Sequence, residues 1–281
     1  MNAFVDKLVQ AQQRTGSLVC VGLDSDYDKL PKHLLKTEDP VYEFNKQIIA
    51  ATKDHCCAYK PNLAFYEALG PRGWETLKHT ILEIPEEIPI IIDAKRGDIG
   101  NTAAKYAEAI FDDLEADAVT LNPYMGFDSI EPFLKYENCF AFILALTSNE
   151  GARDFQYLES MGKPLYMHIV DKVKQWNDDE NLGLVVGASD AEQIKQIRDK
   201  AGKMPFLVPG VGAQGGDLAK AVEYGTANDG MILLNISRGI IFTSKDEKFA
   251  EGAAQSLARY NERINQVRGE AVPAVAAEEG E

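Results

Sequence analysis

Short apolar runs alternate along the chain with stretches of helical periodicity. Residues 18–23, 57–60, 88–92, 118–121, 140–146, 182–186, 205–208 and 230–235 are mostly apolar, and most stop at a charge, Pro, Asn, Gly or a hydroxyl. Such runs predict strands buried on both faces. Helical patterns follow them over 39–54, 63–84 (interrupted at Gly70-Pro71), 101–116, 128–136, 164–176, 191–200, 218–224 and 245–267. Asp39 with Pro40 and Asp190 are the expected helix starts. Ahead of the first strand, residues 2–15 carry Phe4, Leu8 and Ala11 on one helical face. Eight β/α units over about 250 residues predict an α/β fold, a (β/α)8 TIM barrel. An open doubly wound sheet is the alternative, but no GxGxxG follows the first strand, which argues against a dinucleotide site. Residues 1–268 are expected to form one barrel domain, and the Ala-, Glu-, Gly- and Pro-rich 269–281 a disordered acidic tail.

One stretch organises the rest. Residues 88–102 read IPIIIDAKRGDIGNT, an apolar run that ends abruptly in charge. Strand alternation puts Asp93 and Lys95 on one face, and Asp98 follows in the turn before a helix. This places two carboxylates and an ammonium at the mouth of an apolar scaffold. A purely structural account also exists, with Asp93–Lys95 as an ion pair and Asp98 or Asn101 as a helix N-cap.

In a barrel, chemistry gathers at the C-terminal ends of the strands. Those ends carry Asp24, Lys60, Asp93, Lys95, Thr147, Ser148, the 209–216 segment PGVGAQGG and Ser237-Arg238. Loops seven and eight are the usual barrel phosphate site. Gly210, Gly212, Gly215 and Gly239 let backbone N–H groups approach a phosphate, while Gln214 adds donors and Arg238 a guanidinium fork. None of His33, His55, His79 or His168 is at a strand end, so histidine acid–base chemistry has no candidate. Cys20, Cys57 and Cys139 fall in predicted strands and Cys56 at a strand start; their spacing fits no zinc site.

The net charge of -15 argues against a nucleic-acid or membrane-surface binder, though not against a small anionic ligand held locally. No apolar run is long enough to span a bilayer, and the first residues lack the pattern of a signal peptide. With reduced thiols, this predicts a cytoplasmic protein.

DAKRGDIGNT at 93–102 resembles the D-x-K-x-x-D-I core of the orotidine 5′-phosphate decarboxylases. VGLD at 21–24, YKPN at 59–62, PGVGAQGG at 209–216 and SRG at 237–239 follow in that family's order, most like its longer bacterial branch. The resemblance implies conversion of orotidine 5′-phosphate to uridine 5′-phosphate, the last step of pyrimidine nucleotide synthesis, with no metal and no cofactor. It implies Lys95 as proton donor to C6, Asp93 against the substrate carboxylate, and an alternating Lys60–Asp93–Lys95–Asp98 charge chain. Asp98 and Thr102 would come from the other subunit of a homodimer with shared sites. Asp24 and Lys60 would hold the ribose, Ser148 the pyrimidine, and Gln214 with Arg238 the phosphate. Thr147 is the neighbouring alternative to Ser148.

Three rivals stand beside this. A Mg-dependent sugar-phosphate aldolase or decarboxylase of the sister barrel family shares DxKxxD, but typically has Glu where this chain has Lys60. A Schiff-base aldolase needs a Lys of depressed pKa, and carboxylate neighbours act the other way. A phosphate-ligand sensor on a barrel would bind without turnover.

Overall fold

The apolar runs form eight parallel strands: β1 Val19–Leu23, β2 Ala58–Pro61, β3 Ile91–Arg96, β4 Ala118–Leu121, β5 Phe140–Leu146, β6 Leu182–Val186, β7 Phe206–Pro209 and β8 Ile232–Ile236. The computed structural model describes residues 2–187, 191–211 and 217–269. The sheet order is β2-β1-β8-β7-β6-β5-β4-β3. Its two ends meet through parallel bridges, Tyr59 to Ile90 and Asn62 to Asp93, and the Tyr59 N–H donates to the Pro89 carbonyl at 3.0 Å. The predicted (β/α)8 barrel is therefore what the chain builds. Every residue of β1, β2, β4 and β6 is buried, which explains continuous apolar runs in place of alternation.

The helices are α1 Ala3–Thr15, α2 Pro40–Thr52, α3 Leu63–Glu67, α4 Pro71–Leu82, α5 Gly100–Glu108, α6 Glu131–Leu134, α7 Ala152–Phe155, α8 Leu165–Trp176, α9 Ala191–Ala201, α10 Leu218–Gly225, α11 Arg238–Ile241 and α12 Phe249–Arg268. Asp39 caps α2 as expected, accepting from the Tyr42 N–H at 3.0 Å. The expected helix over 128–136 shrinks to α6, preceded by two 3-10 turns, Pro123–Met125 and Phe127–Ser129. Pro123 and Gly126 punctuate that stretch, and Gly126 is left-handed (φ 83°). The helix expected over 101–116 becomes α5 followed by a π turn, Ala109–Asp113. Cys57 and Cys139 lie just before β2 and β5 and not within them, and all four cysteines are free thiols. Burial pushes the Cys56 thiol up to about 12 and Cys139 to about 11, so both are poor nucleophiles. The Asp190 cap and the tail from 270 lie outside the described residues. Among the described residues no helix is long and apolar enough to cross a membrane.

Two apolar layers result. The larger lies between strands and outer helices; the smaller fills the barrel with Cys20, Ala58, Ile91, Ala118, Phe140 and Phe142 among others. Phe4, Leu8 and Ala11 of α1 join the interior layer, as their helical spacing allows. Phe4 stacks on Phe140 with centroids 4.7 Å apart and meets Phe142 edge-on at 5.7 Å. Lys7 pairs with Asp117 at 2.8 Å and Gln12 donates to the Ile232 carbonyl at 2.9 Å, both at strand beginnings. Helix α1 thus closes the N-terminal end of the barrel.

A second device at that end is Arg198 of α9, fully buried. Its guanidinium donates to the carbonyls of Gly225, Gly202, Met204 and Met231 at 2.6 to 3.0 Å and lies 3.5 Å from the Phe206 ring centroid. Burial pulls its pKa down, and the carbonyls replace the water it has lost. Gly230 makes room for it: a Cβ there would sit 2.4 Å from Arg198 Nε. We expect Arg198→Leu, which strips four buried carbonyls of their donor, to cost about 3 kcal/mol or more. Thermal unfolding should fall by roughly 5–10 °C; a shift under about 2 °C would show that those carbonyls find other donors.

Candidate active site

The geometry at the open end starts from β3. Its apolar run stops at Asp93, and the strand continues through the charged residues to Arg96, carrying Asp93 and Lys95 as expected. The continuation is irregular. Pairing with β4 slips between Ile92 and Arg96, and Lys95 is left-handed (φ 48°). Simple alternation therefore fails at Lys95, yet its Nζ returns to Asp93 Oδ1 at 2.6 Å. The other carboxylate oxygen, Oδ2, accepts from Lys60 Nζ at 2.8 Å, and Lys60 is 3.8 Å from Asp24 Oδ1. Three strand ends thus converge: β1 with Asp24 just beyond it, β2 with Lys60, and β3 with Asp93 and Lys95.

Lys60 is only 2% exposed. Burial alone would drag its pKa down, but the Asp93 and Asp24 carboxylates outweigh it and hold the ammonium above the usual lysine range. Burial likewise works against ionised Asp93, and Lys60 and Lys95 together hold that carboxyl well below the usual range. Lys95 is the solvent-facing member, with its side chain about half exposed. It lines a 490 Å³ cleft with Asn122, Leu144, Thr147, Gln156 and Leu165. Gln156 clasps Thr147: its Oε1 accepts from the Thr147 N–H at 2.8 Å and its Nε2 donates to Thr147 Oγ1 at 2.7 Å. The segment between β5 and α8 contains α7 and a short hairpin pairing Ser160 with Lys163.

Asp98 is half-buried in the turn, accepting from the Ile99 N–H at 2.8 Å; among the described residues no ion pair joins it to Lys95. Neither Asp98 nor Asn101 caps α5, whose N-cap is Ile99. Thr102 is exposed on α5 and Ser148 half-buried past β5. Arg238 opens α11, exposed, beside Gly239. It follows Ser237, which packs so closely over β1 that a Cβ on Gly22 would lie 2.0 Å from Ser237 Oγ. Gly22 is thus what lets the β8 turn close over the β1 end. Gly210 follows β7 at φ 87°. Gly212, Gln214 and Gly215 lie outside the described residues.

Two polar residues escaped the sequence reading. Thr120 in β4, 1% exposed, donates to Asp93 Oδ1 at 2.9 Å and accepts from the N–H groups of Ala94 and Lys95. Asn235 in β8 has a buried Oδ1 without a hydrogen-bond partner among the described residues, as does Asp24 Oδ1. The signal was present in both cases: a lone polar residue inside a run buried on both faces must face something polar. Among the described residues no group of three or more His, Cys, Asp or Glu is arranged to hold a metal ion.

Residues 17–253 match the profile described as "Orotidine 5'-phosphate decarboxylase / HUMPS family". An orotidine 5′-phosphate decarboxylase of Dehalococcoides mccartyi is 50% identical over 270 residues, spanning 94% of this chain and 98% of the relative. Another, from Christiangramia forsetii, is 50% identical over 255 residues, spanning 89% and 94%. The solved Leishmania donovani OMP decarboxylase is similar in structure, with a TM-score of 0.82 at 36% identity over 96% of this chain and 100% of that one. A barrel of this topology, its charged strand ends and near-complete alignment agree: the chain belongs to the orotidine 5′-phosphate decarboxylase / HUMPS family.

Proposed function

We propose that this chain decarboxylates orotidine 5′-phosphate to uridine 5′-phosphate. The observation that carries the reading is the Lys60–Asp93–Lys95 charge chain, with contacts of 2.8 and 2.6 Å, at the open end of the barrel. The names of the relatives at 50% identity support it.

The substrate's phosphate is held by Gln214 and Arg238 over the glycines 210, 212, 215 and 239. Asp24 and Lys60 take the ribose hydroxyls; Asp24 Oδ1 is buried and lacks the donor that a hydroxyl would supply. Ser148 contacts the pyrimidine. The orotate carboxylate lies beside Asp93, which its two cations keep ionised. Heterolysis of the bond from C6 to the carboxylate releases carbon dioxide and leaves the electron pair on C6. No ring carbonyl is placed to delocalise that pair, so stabilisation is electrostatic. The Lys95 ammonium faces it, donates its proton to C6 and is reprotonated from solvent. Phosphate binding supplies remote energy that orients the ring. The required acceleration is on the order of 10¹⁷-fold.

A Mg-dependent sister reaction fits these residues less well. It uses carboxylates to hold the metal, and here Lys60 occupies one face of Asp93 at 2.8 Å, where a divalent cation would meet a fixed positive charge. The two readings separate in a spectrophotometric assay with orotidine 5′-phosphate. Turnover undiminished by EDTA is expected; loss in EDTA restored by Mg²⁺ would favour the sister chemistry.

The reading extends to a homodimer in which Asp98 and Thr102 complete the other subunit's site. It is supported by Asp98 lying in the turn after β3 without an ion pair to its own Lys95 among the described residues. The protein would act in the cytoplasm on a free nucleotide, without nucleic acid or membrane.

Three outcomes follow from these roles. Lys95→Ala should lower turnover by at least about 10²-fold while uridine 5′-phosphate still binds; retention of a tenth of the wild-type kcat removes Lys95 from the chemistry. Arg238→Ala should raise KM for the phosphorylated substrate by roughly 30-fold or more, as about 2–3 kcal/mol of charge-assisted bonding is lost. An equal loss with orotidine lacking the phosphate would place Arg238 elsewhere. Finally, mixing Lys95→Ala with Asp98→Ala under verified subunit exchange should restore activity. About half the dimers become mixed, and one site in each is native, so roughly a quarter of all sites recover. Activity that stays at the parents' average would mean that Asp98 serves its own chain.

A further inference from the structure

We infer that Thr120 is a positioning residue for the reaction, setting both the rotation of the Asp93 carboxylate and the backbone conformation that presents Lys95. The inference rests on the assignment of Lys95 as proton donor.

A threonine hydroxyl has one proton and two lone pairs. In Thr120 all three are engaged. The Ala94 and Lys95 N–H groups donate to its oxygen at 3.1 and 3.0 Å, and its own O–H donates to Asp93 Oδ1 at 2.9 Å. With two N–H donors converging on the oxygen, the hydroxyl proton is left to point at the carboxylate. The target is the same oxygen that takes Lys95 Nζ at 2.6 Å, while Lys60 takes the other at 2.8 Å. A carboxylate turns easily about its last torsion. The hydroxyl blocks that turn, so one oxygen faces the solvent-side lysine and the other the buried one.

The backbone effect is independent of this. Lys95 is a non-glycine residue at φ 48°, a conformation that L-residues rarely adopt. Ladder pairing with β4 slips across this point, between Ile92 and Arg96. The Ala94 and Lys95 N–H groups instead take the Thr120 side chain as acceptor. Remove that acceptor, and the two amides are drawn toward extended geometry, which turns the Lys95 side chain to the opposite face of the strand. Because Thr120 is 1% exposed, water does not readily replace the lost oxygen. Thr120 bonds to three consecutive residues of β3.

The test uses the full-length protein and compares Thr120→Val, which keeps the shape without the hydroxyl, with Thr120→Ser, which keeps the hydroxyl. Steady-state kcat and KM are read alongside uridine 5′-phosphate affinity, with Lys95→Ala as control. A displacement of about 1 Å at a reacting group costs on the order of 10²-fold. We therefore expect Val to lose about that much kcat with KM and product affinity within about threefold, and Ser to stay within about threefold of wild type. A Val variant that keeps more than a tenth of kcat overturns the inference. So does a Ser variant that falls as far as Val, or product affinity lost in step with kcat. Should Val not accumulate as folded protein, Thr120→Ala removes the same hydroxyl and is read by the same criteria. Wild-type protein inert on orotidine 5′-phosphate, or an active Lys95→Ala, overturns the functional reading and this one with it. Active wild type, inactive Lys95→Ala and active Thr120→Val overturn the role of Thr120 alone.

Discussion

The ion pair between Lys60 and Asp93 is the constraint on which the open end of the barrel depends. A charge buried as deeply as Lys60 costs several kcal/mol unless a counter-charge and hydrogen bonds replace its water. The partner comes from the next strand around the barrel, across the seam where the sheet closes on itself. Among the described residues that seam has no continuous ladder, only the bridges from Tyr59 to Ile90 and from Asn62 to Asp93. The bond that neutralises Lys60 therefore also staples β2 to β3. The site and the closure of the fold share one interaction, so truncating either partner leaves a buried charge and weakens the seam together.

Burial of a cation is not by itself a sign of chemistry, and the molecule supplies its own control. Arg198 is as buried as Lys60, but its hydrogen-bond partners are backbone carbonyls at helix ends and strand beginnings. Carbonyls satisfy a guanidinium geometrically without adding charge, so the result is an inert brace. Lys60 is set among carboxylates, and the ionisation of Asp93 is shifted in return. Reciprocal perturbation, at strand ends that open to solvent, is what separates a site from a strut.

Much of this was legible in the sequence because parallel barrel strands are buried on both faces. Their apolar runs stand out, and the polar residues that interrupt or end them stand out equally. Asp24, Lys60, Asp93 and Lys95 were found that way, and the structure brings them together. What escaped depended on local backbone geometry. The register slip of β3 past Asp93 and the left-handed Lys95 have no compositional signature, so simple alternation was expected there. The helix expected over 128–136 shrank to Glu131–Leu134, its expected start taken by the 3-10 turn Phe127–Ser129. Thr120 was passed over as one residue of a strand, since its importance lies in what it bonds to across the ladder. Asp98 could be located after the strand, but residue spacing does not say what its carboxylate meets.

Helix α1, which plugs the far end of the barrel with Phe4 stacked on Phe140, has a consequence for traffic. It makes the interior a cul-de-sac. On the proposed reaction, nucleotide, carbon dioxide and the proton that recharges Lys95 must all use one doorway. While a nucleotide stands in it, bulk water reaches the charges only around the ligand's edges, and the aromatic floor beneath admits none. The departing gas leaves past the nucleotide or waits for it to go, which makes the order of product departure a property of the barrel's sealed floor as much as of its catalytic rim.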